Sequence, residues 1–185
     1  MPALFLLAFL AACAARRPVP PPPLAAVTVL PVADVPERAA TTGIFTFYSW
    51  IADLRAAVPD QLAAALRDHL ATRGITALAA HGPAPPTLPQ AIQAVSAAHL
   101  ENPALYVVLG KWEAENVTSP QYVDVSLDAT LIAPSGKILW TSRRESGPVA
   151  TLNAIDLASA YRMAIGDVAE RLVGNWSAER STTKD

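Results

Sequence analysis

Cysteine is nearly absent from this chain of 185 residues: Cys13 stands alone, so no internal disulfide can form. Histidine is scarce too, occurring only at 69, 81 and 99, and none is spaced i, i+4 from another ligand. With no further cysteine to complete a set, a metal site is not expected. Charge is sparse at 16%, and a net charge of -2 provides no clustered basic surface for nucleic acid. Long apolar runs are missing as well. The one near the start, Ala3 to Ala12, would cover roughly half of a bilayer core, too short for a membrane span and the right length for the apolar region of a signal peptide. Catalytic motifs are equally thin. No Gly-x-Ser-x-Gly elbow occurs, and Leu109-Gly110-Lys111-Trp112 lacks both the upstream glycine and the Ser or Thr of a phosphate-binding loop. Asp124 and Asp128 lie on one strand face but roughly 13 Å apart, too far to act as a carboxylate pair. His69 sits on or beside a helical apolar stripe and reads as a flanking residue. No enzyme and no dissociable cofactor is expected.

What the chain has is hydrophobic residues, 52% of it, enough for one domain with a substantial core. They are organised around Leu105 to Trp140. From Tyr122 to Ile132 the alternation is strict: Val123, Val125, Leu127, Ala129 and Leu131 point one way, and Asp124, Ser126, Asp128 and Thr130 the other. The run Ala104 to Leu109 before it is rich in β-formers and continues through Gly110 to Glu115. After it, Pro134-Ser135-Gly136-Lys137 is turn chemistry leading to a third strand at Ile138. Short connections make the three an antiparallel meander.

Earlier in the chain, Leu24 to Val32 reads as a buried strand ending at Pro31. Pro59 and Asp60 open a helix that Gly74 stops, and Ile75 to Ala79 is a short strand, so strand, helix and strand follow as in a βαβ unit. His81 to Pro89 is read as a loop and Gln90 to His99 as a short helix. Between the first strand and the first helix, Phe45, Phe47, Tyr48 and Trp50 crowd into Ile44 to Ile51. That stretch fits either a short strand or turn over the core or an exposed apolar patch for a partner. Beyond the meander, Arg143 to Pro148 reads as a polar exit. Thr151 or Asn153 is a candidate cap for a last helix whose stripe is Leu157, Tyr161, Ala164, Ile165, Val168, Leu172 and Trp176, about 30 Å long. The fold class is therefore α/β (α+β), a mixed sheet with a C-terminal three-strand meander flanked by helices.

The apolar segment at the start ends in Leu10-Ala11-Ala12-Cys13, which resembles the lipobox of bacterial lipoproteins. That resemblance implies cleavage after Ala12, a diacylglycerol and an acyl chain on Cys13, and, with Ala14 rather than Asp following, an outer-membrane destination facing the periplasm. Arg16-Arg17 and the run Pro18 to Pro23 come next, a polyproline spacer of about 20 Å. The expected organisation is a signal peptide over 1–12, a lipidated tether over 13–23, one α/β domain over 24–176 and a tail over 177–185.

The strand Val27 to Pro31, the run Ala104 to Gly110, and Val125 to Ile132 leading into Ser135 to Trp140 resemble the CsgG and TolB N-terminal-like group. This group includes lipoproteins of the neisserial surface-antigen type and the peptidoglycan-synthase activator LpoB. Tyr48-Ser49-Trp50 followed by Val58 to Leu70 is similar to ABC-type transport auxiliary lipoproteins. These resemblances imply a non-enzymatic accessory subunit of an envelope transport or assembly machine, with Phe45, Phe47, Tyr48, Trp50 and a sheet edge as partner surface and self-association as one arrangement. An activator of LpoB type and a carrier of lipid or another apolar ligand are the alternatives. The chain is too short for the long membrane-spanning hairpins of a CsgG pore.

Overall fold

The computed structural model describes residues 20–35, 49–142 and 145–178. Cys13, the signal segment and the tether up to residue 19, together with Phe45, Phe47 and Tyr48, lie outside the described residues.

Among the described residues, seven strands form one mixed sheet: β1 (Ala26–Val29), β2 (Ala33–Asp34), β3 (Thr76–Ala79), β4 (Ala104–Ala114), β5 (Tyr122–Ile132), β6 (Ile138–Thr141) and β7 (Glu145–Ala150). Its order is β3-β1-β4-β5-β6, with β2 also against β4 and β7 also against β5. β1 and β2 are two pieces of one path along β4, interrupted at Pro31, which cannot donate to a ladder. β6 and β7 likewise share the far side of β5, β6 along its C-terminal half and β7 along its N-terminal half. β4, β5 and β6 form the expected antiparallel meander.

Among the described residues, four helices cover the sheet: α1 (Ser49–Ala56), α2 (Val58–Thr72), α3 (Leu88–Ala97) and α4 (Leu157–Val173). β1 pairs in parallel with both β3 and β4, so the crossover through α2 and the crossover through α3 travel in opposite directions across the sheet. The shared hand of such crossovers places their helices on opposite faces. Accordingly Leu62, Leu66 and Leu70 of α2 join Leu157, Tyr161, Ile165 and Leu172 of α4 in one core with Val27, Leu105, Val107 and the inward residues of β5. Ala91 and Val95 of α3 pack on the other face, against Leu30, Ala104, Tyr106 and Ile132.

A register shift between Leu109 and Lys111 decides which side chains stay dry. Leu105, Val107 and Leu109 face α2 and α4, and without a bulge Lys111 would follow them into the core. The extra residue, Gly110, inverts the alternation, so Trp112 and Ala114 are buried while Lys111 and Glu113 are half exposed.

Six expectations change. Arg143 to Pro148 is not simply a polar exit, because Glu145–Ala150 pairs with β5 as β7. Ile44 to Ile51 does not end in a strand or turn: Ser49 to Ile51 open α1, with Ile51 buried. The loop read to Pro89 ends sooner, since α3 starts at Leu88 with its proline in the first turn, where a missing N–H is harmless. The last helix is capped by Asp156, not by Thr151 or Asn153. Asp156 Oδ1 accepts the Ser159 N–H at 2.7 Å, and Ser159 Oγ accepts from the Asp156 N–H at 3.1 Å. Thr151 instead donates its hydroxyl to Pro120 O at 2.9 Å, fully buried, and Asn153 turns the chain at φ 73°. Trp176 lies past the end of α4, so the helical part of the stripe is about 25 Å long. Trp176 is nonetheless buried, edge-on to Trp140 at 5.3 Å. The expected tail begins ordered: Leu24 N–H donates to Ser177 O at 3.1 Å, and Leu24 bridges Ala178.

Candidate interaction surface

Of the four aromatic residues singled out in the sequence, Trp50 is the one described. It sits in the first turn of α1 and is 48% exposed, while its neighbour Ile51 enters the core. α1 is pinned to the sheet by a two-pronged ion pair, Arg55 Nη1 and Nη2 donating to Asp34 Oδ2 and Oδ1 at 3.0 and 2.8 Å. Behind α1, Tyr161 of α4 meets Trp112 of β4 edge-to-face at 6.0 Å. Burial pushes the Tyr161 phenol above its ordinary range, so it is a packing group that stays neutral.

Further apolar side chains surface at the same end of the sheet, where β4 and β7 finish and β5 begins. Leu152 and Ile155, in the segment between β7 and α4, are 59% and 84% exposed. Single apolar residues in a turn carry no periodic signal, which is why sequence reasoning passes over them.

The titratable residues considered for chemistry are occupied structurally. His69 Nδ1 lies 2.9 Å from Glu170 Oε2, and Arg73 Nη2 donates to Glu170 Oε1 at 2.6 Å, tying α2 to α4. Arg73, and after it His69, hold the Glu170 carboxyl below the usual carboxylate range. Asp124 Oδ2 accepts from Lys111 Nζ at 3.1 Å, and that bond raises the lysine pKa. Asp128 is exposed on the same face, as expected of a solvated strand side. Among the described residues no three of His, Cys, Asp and Glu gather to hold a metal ion. Among them also, the cleft lined by Val125, Val149, Val168 and Arg171 has a volume near 20 Å³, about one water. That cleft, between α4 and the sheet, is too small for an acyl chain. No described helix is long and apolar enough to cross a membrane.

The arrangement is a mixed α/β sheet with two helical layers, a fold already seen in solved bacterial proteins. It is similar to PelC from Paraburkholderia phytofirmans, solved as a dodecamer, with a TM-score of 0.55 at 15% identity over 89% of this chain and 97% of that one. A point variant of PelC, also a dodecamer, aligns at 0.52 with 16% identity over 84% and 96%. The lipoprotein GNA1162 from Neisseria meningitidis is a looser match, at 0.44 and 17% over 81% and 99%. These likenesses are of fold. No family model and no curated protein matches the chain.

Proposed function

We propose that this chain is a membrane-anchored, periplasm-facing lipoprotein of the outer membrane, working as a non-enzymatic accessory subunit of a cell-envelope transport or assembly machine and assembled from several copies of itself. The observation that carries the reading is Leu10-Ala11-Ala12-Cys13, which resembles a lipobox, in front of a fold similar to that of PelC, whose solved form is a dodecamer. Three further features support it. The described carboxylates Asp34, Asp124, Asp156 and Glu170 are engaged in ion pairs or a helix cap, and the core cleft near α4 holds no more than a water. Trp50, Leu152 and Ile155 supply apolar surface of the kind that anchors protein contacts.

The test is crosslinking in whole cells, followed by membrane fractionation and purification of the wild type and a Cys13→Ala form. The expected outcome is outer-membrane recovery of the wild type with envelope proteins attached, both lost in the variant. Transport subunits among them identify a transport machine, and a cell-wall synthase identifies an LpoB-type activator. Recovery of the wild type in the soluble fraction, or a reproducible catalytic turnover, ends the proposal.

A further inference from the structure

Open sheet edges invite another strand, and soluble proteins protect them with charge, proline or a covering element. In this sheet the protection is uneven. The open side of β7 carries Gly147 and Pro148, and β2 has only two residues, with Asp34 held by Arg55. β3 and β6 have neither device: Thr76-Ala77-Leu78-Ala79 and Ile138-Leu139-Trp140-Thr141 contain no charge and no proline. No described strand lies on the outer side of either.

The two edges match each other. Both strands have four residues, and both run in the direction of β4, because β3 is parallel to β1 and β4 while β6 is two antiparallel steps from β4. On each strand, main-chain groups that face away from the sheet can be named. Thr76 and Ala80 donate to Ala25 O and Val29 O, each at 3.0 Å, so the alternation turns the N–H and C=O of Ala77 and Ala79 away from β1. Ser142 donates to Ala129 O at 2.8 Å, which turns Thr141 outward in the same way. Leu78 pairs with Thr28 and Ile138 with Ile132, placing both aliphatic side chains on the α3 face. They are 44% and 43% exposed. Set edge to edge, the two strands bring Leu78 of one copy beside Ile138 of the next.

We infer that β3 of one copy pairs in parallel with β6 of the next, a head-to-tail contact that repeats around a closed ring. This deepens, and rests on, the self-assembled, lipid-anchored reading above. The tether supplies the reason for a head-to-tail contact. The chain enters through Leu24 at the N-terminal end of β1, and a ring whose axis follows the strands keeps that end of every copy on one side, within reach of one bilayer. Pairing β3 with β3 of a partner instead turns the partner end over end and sends its tether away from the membrane.

The experiment uses full-length protein purified with its lipid in detergent and weighed by native mass spectrometry. Ala79→Pro and Thr141→Pro each remove an outward N–H and leave the inward bonds in place, a position where edge proline is tolerated. Each variant alone is expected to run as a single protomer. A one-to-one mixture is expected to give a heterodimer and nothing larger, because only one unblocked β3 and one unblocked β6 remain to meet. Leu78→Lys and Leu139→Lys, at exposed positions, repeat the test without a backbone change and decide the matter if circular dichroism shows a proline variant unfolded. A wild type of single-protomer mass overturns the self-assembled reading itself. A wild-type oligomer that the lysine variants leave intact, or blocked variants that do not combine when mixed, overturns the edge-to-edge contact alone.

Discussion

At the scale of single residues, position in the fold assigns the roles that residue type leaves open. Glu170 is a surface carboxylate gripped by Arg73 and His69, and its pKa is lowered first by the Arg73 bond. A carboxyl with a folded pKa below its ordinary value near 4.5 contributes stability above that value and loses it as pH falls through the lowered one. Glu170→Gln is therefore expected to lower the melting temperature slightly at pH 7, with the difference from wild type shrinking as pH falls below 4.5 in parallel thermal melts. Gly136 makes the β5–β6 turn at φ 82°, and a Cβ there would stand 2.8 Å from Ser96 Oγ of α3. Gly136→Ala is expected to cost about 1–2 kcal/mol from the left-handed backbone, read by urea denaturation. The turn was legible from Pro134-Ser135-Gly136-Lys137 because that chemistry is local. The Glu170 contacts were not, since their partners lie 97 and 101 residues away in sequence.

At the scale of elements, the strands readable from sequence are those with one wet and one dry face. β5 alternates in residue type from Val123 to Leu131, and Val123, Val125, Leu127, Ala129 and Leu131 are the ones the main core takes, while Ser126 and Thr130 on the other face are buried as well. Leu127, at its centre and 1% exposed, is a clean probe of that core: Leu127→Ala is expected to lose about 2–5 kcal/mol of unfolding free energy in denaturant titrations. β7 escaped notice because edge strands tolerate the Gly and Pro that otherwise mark turns. α1 escaped because the aromatic run before it favours extended structure, while Trp50 and Ile51 are helical through packing of Ile51 and the Arg55 anchor. The cap of α4 was misplaced by a few residues. Thr151, Asn153 and Asp156 are all good cap types, and only the route of the chain out of β7 selects among them.

At the scale of the whole molecule, the α/β class and the meander followed from periodicity, whereas the seven-stranded order depends on long-range pairing that no local pattern encodes. The candidate surface was half legible. Trp50 belonged to a visible aromatic cluster, whereas Leu152 and Ile155 are exposed only because of the route the chain takes out of β7. Trp50→Ser is expected to leave stability within about 0.5 kcal/mol of wild type, since the side chain is 48% exposed, while reducing the yield of crosslinked partners.

The position of β1 also bears on mechanical load. A pull on the N-terminus passes through Leu24 into a strand held between two parallel neighbours, β3 and β4. Parallel strands drawn along their length load their hydrogen bonds together, in shear, rather than one after another as in peeling. A load entering at Leu24 and resisted at the far end of β3 or β4 would therefore meet the hydrogen bonds on both sides of β1 at once.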